Sequence, residues 1–115
     1  MKRIRETFND GRLSIVKKTT IRNEFKVKTG TEYTDLISLR FRKMTMRESD
    51  VLSIGEVNAS KVTTKVKTMF APIIKGEIKN KYFVKIDSSI FNVIYSDYDK
   101  YYCYFYLERV VEDDD

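Results

Sequence analysis

The chain has 115 residues, with 22 Lys and Arg against 17 Asp and Glu, one cysteine and no histidine. This length suits one domain with a small core, and the missing histidine excludes zinc fingers, Cys/His metal cages and Ser-His-Asp or Cys-His nucleophilic sites. No apolar run approaches a membrane span, the lone Cys103 allows no intrachain disulfide, and Gly11, Gly30, Gly55 and Gly76 are too scattered for a phosphate loop. The expectation is a soluble protein made inside the cell, non-enzymatic, with no cofactor and no metal.

Residues 1–10 are polar and charged, and with Asn9-Asp10-Gly11 as a turn they read as an N-terminal arm. RLSIVKKTT alternates loosely through Leu13 and Ile15, and TIRNEFKVKTG through Phe25 and Val27 to Gly30. Two strands, or one long bent strand with a turn near Arg22-Asn23-Glu24, fit this equally well. YTDLISLRFRKMTM alternates more strictly, with Ile37, Leu39 and Phe41 on one face and Ser38, Arg40 and Arg42 on the other. The period then breaks. Residues 43–57 read as a long central loop with room for a short helix, capped by Ser49 and stopped at Gly55.

ASKVTTKVKTMF returns to period two, with Val62, Thr64, Val66, Thr68 and Phe70 facing one way and Lys61, Thr63, Lys65, Lys67 and Met69 the other. Lysines at alternate positions suit a solvated edge strand or a polyanion contact. APIIKGEIKNK holds the only proline, Pro72, and reads as a connection or a distorted strand. The last third is a β-meander. Tyr82, Val84 and Ile86 share one face of its first strand, Phe91, Val93 and Tyr95 one face of its second. In its third, Cys103, Phe105 and Leu107 lie opposite Tyr102, Tyr104, Tyr106 and Glu108. These outward tyrosines with Glu108 are a candidate subunit interface. About six strands in so short a chain predict a mainly β fold, a small antiparallel barrel or sandwich, over residues 1–115 as one domain.

Charge is unevenly distributed. Residues 1–85 hold 20 Lys and Arg against 9 Asp and Glu, whereas residues 86–115 hold 2 against 8 and end in the acidic tail 112–115. A basic body with an acidic end suits nucleic acid nearby, or head-to-tail packing of identical subunits, as well as ordinary solubility.

The strings DGRLSIVKK, LISLRFRKM, MRESDVLSIGEVNASKVTTKVKT and YFVKID…FNVIY…YCYFYLERV, in this order, resemble the head-closure, or head-tail connector, proteins of long-tailed bacteriophages. Glu48, Asn58 to Ser60, Thr63, Thr64, Thr68 and Tyr106-Leu107 match the family's pattern. Lys67-Thr68-Met69-Phe70 stands where many relatives carry an arginine-tyrosine pair, and no tryptophan precedes Arg42. The resemblance implies a structural protein of the virion neck, made in the bacterial host cytoplasm, with no membrane partner. It implies a small β-barrel in a homo-oligomeric, twelve-subunit ring below the portal and its adaptor, retaining packaged double-stranded DNA and docking the tail terminator or tail completion protein. The central loop would then be the gate, through Lys43, Arg47, Glu48, Ser49, Asp50, Val51, Leu52, Ile54 and Gly55. Lys61, Lys65 and Lys67 are candidates for a channel-facing basic stripe. A sequence-independent nucleic-acid-binding barrel and a neighbouring neck protein of the tail-terminator type are the other readings.

Overall fold

The computed structural model describes residues 7–76, 78 and 81–110. Strands β1 (Gly11–Arg22) and β2 (Lys28–Met44) form a long antiparallel hairpin. Its turn is held by Asn23, whose side-chain oxygen accepts the N–H groups of Phe25 at 2.9 Å and Val27 at 3.1 Å. Asn23 is suited to this because its short carboxamide mimics a backbone acceptor. Lys26 completes the turn in the left-handed region, at φ 62°.

Strands β3 (Thr64–Met69), β4 (Phe83–Ile86), β5 (Ser89–Tyr98) and β6 (Tyr102–Arg109) complete a closed antiparallel barrel in the order β1-β2-β3-β6-β5-β4. Strand β3 therefore lies between β2 and β6, and the edge-strand reading of its lysines does not hold. The expected six-stranded, mainly β fold is the observed one. Where the sequence alternates, one face fills the barrel: Leu13, Ile15, Phe41, Val66, Phe105 and Leu107 are all at most 1 % exposed. Cys103 is buried among them, and burial pushes its thiol pKa up. The connection after β3 winds through a 3₁₀ turn, Pro72–Lys75, and adds Ala71, Ile74 and Ile78 to the same core.

Besides a register shift near the hairpin tip, between Ile21 and Arg22, two bulges change how residues face, and one glycine is fixed by its neighbour. In β2 the partner of β1 jumps from Ile37 to Asp35 between Ile15 and Val16, leaving Leu36 extra and 45 % exposed. In β5 Val93 pairs with Leu107 but Tyr95 with Tyr106, so Ile94 is the extra residue. That bulge turns Tyr95 away from the core face it was expected to share with Phe91 and Val93, onto the outer side beside Tyr106. Their rings lie 5.5 Å apart. At the start of β1, Gly11 has φ 144°, and a Cβ there would meet the Phe41 ring at 3.1 Å. Only glycine fits both demands.

The arm expected over residues 1–10 is partly tied down. Phe8 lies 6.0 Å from the Tyr102 ring, and Asp10 accepts the Lys43 N–H at 2.8 Å. Residues 1–6 and the acidic tail 112–115 lie outside the described residues.

Closure stops well short of the hairpin tip. Strand β4 pairs with β1 only over Leu13–Val16, and β3 with β2 only over Phe41–Met44. From Lys17↔Thr34 outward the two strands pair with each other alone among the described residues and leave the barrel as a two-stranded ribbon. The molecule is accordingly elongated, 65 × 29 × 25 Å. Of the two readings of this stretch, the structure shows two strands with the turn beginning at Asn23, and Phe25 and Val27 are 76 % and 57 % exposed in that turn at the ribbon tip.

The same chemistry at two depths should give opposite results. Phe105→Ala empties a fully buried site and is expected to cost about 3–5 kcal/mol. Phe25→Ala at the tip should stay within ~0.5 kcal/mol. Urea unfolding of both variants checks this; equal losses would mean that the ribbon is packed against the barrel in solution.

Candidate assembly surface

Pairing of β3 with β6 brings together two rows of side chains that look independent in sequence. Lys65 stands opposite Tyr106, Lys67 opposite Tyr104 and Met69 opposite Tyr102 on the outer wall. Lys67 Nζ sits 4.0 Å from the Tyr102 ring centroid and 5.5 Å from that of Tyr104, and Lys65 Nζ 5.2 Å from that of Tyr106. Ammonium groups over ring faces are attracted by the ring quadrupole. At the far end, the exposed Asp99 carboxylate accepts the N–H groups of Tyr101 and Tyr102, both at 2.8 Å, and the Tyr104 hydroxyl at 3.2 Å. Those two N–H groups are the main reason its pKa lies below the ordinary carboxylate value.

The central segment docks on the other end of this wall. It forms two short helices, α1 (Glu48–Ile54) and α2 (Glu56–Ala59), separated by Gly55 at φ 92°. Arg47, not Ser49, is the residue before the first turn. Its N–H donates to Asp50 Oδ2 at 2.8 Å, which closes the helix start from the third position. The same oxygen accepts Lys65 Nζ at 2.7 Å, and Oδ1 accepts the Tyr106 hydroxyl at 2.8 Å. Partial burial alone would raise the Asp50 pKa; the bonds from Lys65, Arg47 and Tyr106 together outweigh it and hold the carboxyl below its ordinary value. Burial, and then the adjacent carboxylate, push the Tyr106 hydroxyl well up, so it stays a donor.

This contact corrects two sequence expectations. Lys65 is 4 % exposed and ion-paired, so Lys61, Lys65 and Lys67 do not form one solvated or DNA-facing stripe. Tyr106 is 6 % exposed and bound to Asp50, so it is not available as a subunit interface. The outward alternation itself was read correctly; the helix that covers it was not visible, because nothing local in a strand says what will lie on its outer face. Lys61 is exposed, while Lys67, Tyr102, Tyr104 and Glu108 are half-buried.

Within the candidate loop, Lys43, Arg47, Glu48, Ser49 and Gly55 are exposed and Asp50, Val51 and Ile54 half-buried. Leu52 is 81 % exposed, and in α2 Val57 is 73 % exposed. One acidic side chain thus pins a segment from which Leu52 and Val57 point to solvent.

The ribbon is the feature that sequence reasoning missed. Its signal was Lys17-Lys18-Thr19-Thr20, four polar residues in succession, which wets both faces of a strand. At its base Tyr33 meets the Phe83 ring edge-on at 5.9 Å, with Lys18 Nζ 5.6 Å from the same ring centroid. An open cleft of about 1040 Å³ runs between ribbon and barrel, with Lys18, Lys28, Glu32 and Lys85 among its walls. No helix among the described residues is long and apolar enough to cross a membrane. No protein-family model and no curated protein matches the chain.

The anchor gives a prediction with a defined sign. Because the folded-state pKa of Asp50 is depressed, its stabilisation is complete above the unfolded carboxyl's range and is lost as pH falls through the depressed value. Urea unfolding should show Asp50→Asn less stable than wild type at neutral pH, with the gap narrowing on acidification. Lys65→Ala should cost about 2 kcal/mol, below the range for a fully buried pair because Asp50 keeps some solvent. Lys61→Ala should be near neutral. A gap for Asp50→Asn that widens in acid would contradict the ion pair.

Proposed function

We infer that this chain is a head-closure subunit of a long-tailed phage neck, one protomer of a homo-oligomeric ring below the portal and adaptor that retains packaged DNA and offers the tail its docking face. Supporting the reading beside the sequence resemblance is one structural observation: a closed barrel bears two projections with exposed apolar side chains, Phe25 and Val27 on the ribbon and Leu52 and Val57 on the helices. Exposed apolar groups on projections suit contacts with other subunits. The central segment suits a channel border too. Residues 48–60 contain Glu48, Asp50 and Glu56 but no Lys or Arg, so the phosphate backbone would meet cations only at the segment's ends, at Lys43, Arg47 and Lys61. A seal that must later let DNA pass benefits from that.

The barrel that binds nucleic acid through Lys61, Lys65 and Lys67 is the weaker reading. Its middle lysine is committed to Asp50, and Lys67 lies over two tyrosine rings.

Electron microscopy of particles made without this gene tests the neck role. DNA-leaking or emptied heads beside free, complete tails are expected. Normal tailed virions would overturn it.

A further inference from the structure

The two projections differ in charge as well as position. Ribbon residues 17–34 carry Lys17, Lys18, Arg22, Lys26 and Lys28 against Glu24 and Glu32, and expose Ile21, Phe25 and Val27. Residues 48–60 carry three carboxylates and no basic group, and expose Leu52 and Val57. Asp50 is spent on Lys65, which leaves Glu48 and Glu56 exposed beside the apolar pair. One surface is apolar and basic; the other is apolar with two exposed carboxylates, Glu48 and Glu56, between the flanking exposed cations Arg47 and Lys61.

These surfaces cannot meet within one molecule. The ribbon grows from the start of β2, whereas α1 follows its end. A strand of 17 residues separates them, which at about 3.3 Å per residue is ~55 Å. The strand is held in register by its pairing with β1 along nearly its whole length, so it does not fold back.

We propose that the ribbon tip of one copy docks on the α1–α2 surface of a second copy, with Phe25 and Val27 against Leu52 and Val57 and the ribbon's Lys26 and Lys28 facing Glu48 and Glu56. Donor and acceptor are different patches on the same chain, so the contact is heterologous and propagates: each copy gives one ribbon and receives another. A ring is the closed form of such a contact. Five exposed apolar side chains are too few for the roughly 800 Å² per partner of a stable free pair, so the joint is weak between two copies and gains strength by closure. An isolated two-stranded ribbon is marginal in water, and this contact supplies the third surface it lacks. The inference rests on the ring reading only in requiring self-association.

Oxidative cross-linking tests it. Phe25→Cys and Leu52→Cys are exposed substitutions that leave the core intact, and the buried Cys103 does not compete. When the two variants are mixed at high protein concentration, the disulfide-linked pair containing one of each should exceed either self-pair several-fold. Adding Lys26→Glu and Lys28→Glu to the Phe25→Cys chain should abolish that excess. Mixed and self-pairs in statistical proportion, or no pairs, would overturn the proposal. A specific mixed pair together with normal virions from the gene deletion would keep the contact and reject the neck role. Statistical pairing with defective heads would do the reverse.

Discussion

The short seam between β1 and β4 governs the shape of the molecule. It spans only Leu13–Val16, enough to close the barrel around Leu13 and Ile15 and no more. Everything in β1 beyond Val16 has to leave with its partner, because β4 is four residues long and has no more backbone to offer. Closure and projection are thus one event. A longer β4 would absorb the ribbon into the wall and remove the surface it presents.

A second economy appears on the outer wall. Lysines on alternate positions of β3 would normally stand in water, but β6 sets tyrosines against them and α1 brings a carboxylate onto Lys65. Positive charge that looks free in sequence is used to hold the central segment in place. Burying the pair is not itself a large source of stability, since the desolvation of both ions offsets much of their attraction. What it supplies is position: Asp50 serves as third helix residue, salt-bridge partner and hydroxyl acceptor at once, which leaves α1 one way to sit. With that orientation fixed, Leu52 faces outward.

Strand alternation made much of the barrel legible. Leu13, Ile15, Phe41, Val66, Phe105 and Leu107 all sit on the apolar rows of alternating stretches, and all are inside. Tyr95 failed because a single extra residue, Ile94, inverts the face of everything after it, and nothing in FNVIYSDY marks the bulge. Phe25 and Val27 are exposed for a different reason: they lie in the turn between β1 and β2, not in a strand, so their spacing defines no face. Likewise Tyr106 and Lys65 are 41 positions apart, and their meeting with Asp50 is a tertiary fact. Helix α1 was foreseen in extent but not in its cap, since Arg47 enters through its backbone N–H and not through its side chain.

Amide hydrogen exchange across a concentration series tests most directly whether the two projections are halves of one joint. Amides of ribbon residues 17–34 and of helical residues 48–60 should exchange faster than those of β3 and β6 in dilute protein, then gain protection together as concentration rises, while the barrel is unchanged. Protection that stays constant over the series, or that appears on one projection without the other, would contradict a head-to-tail contact between copies of this chain.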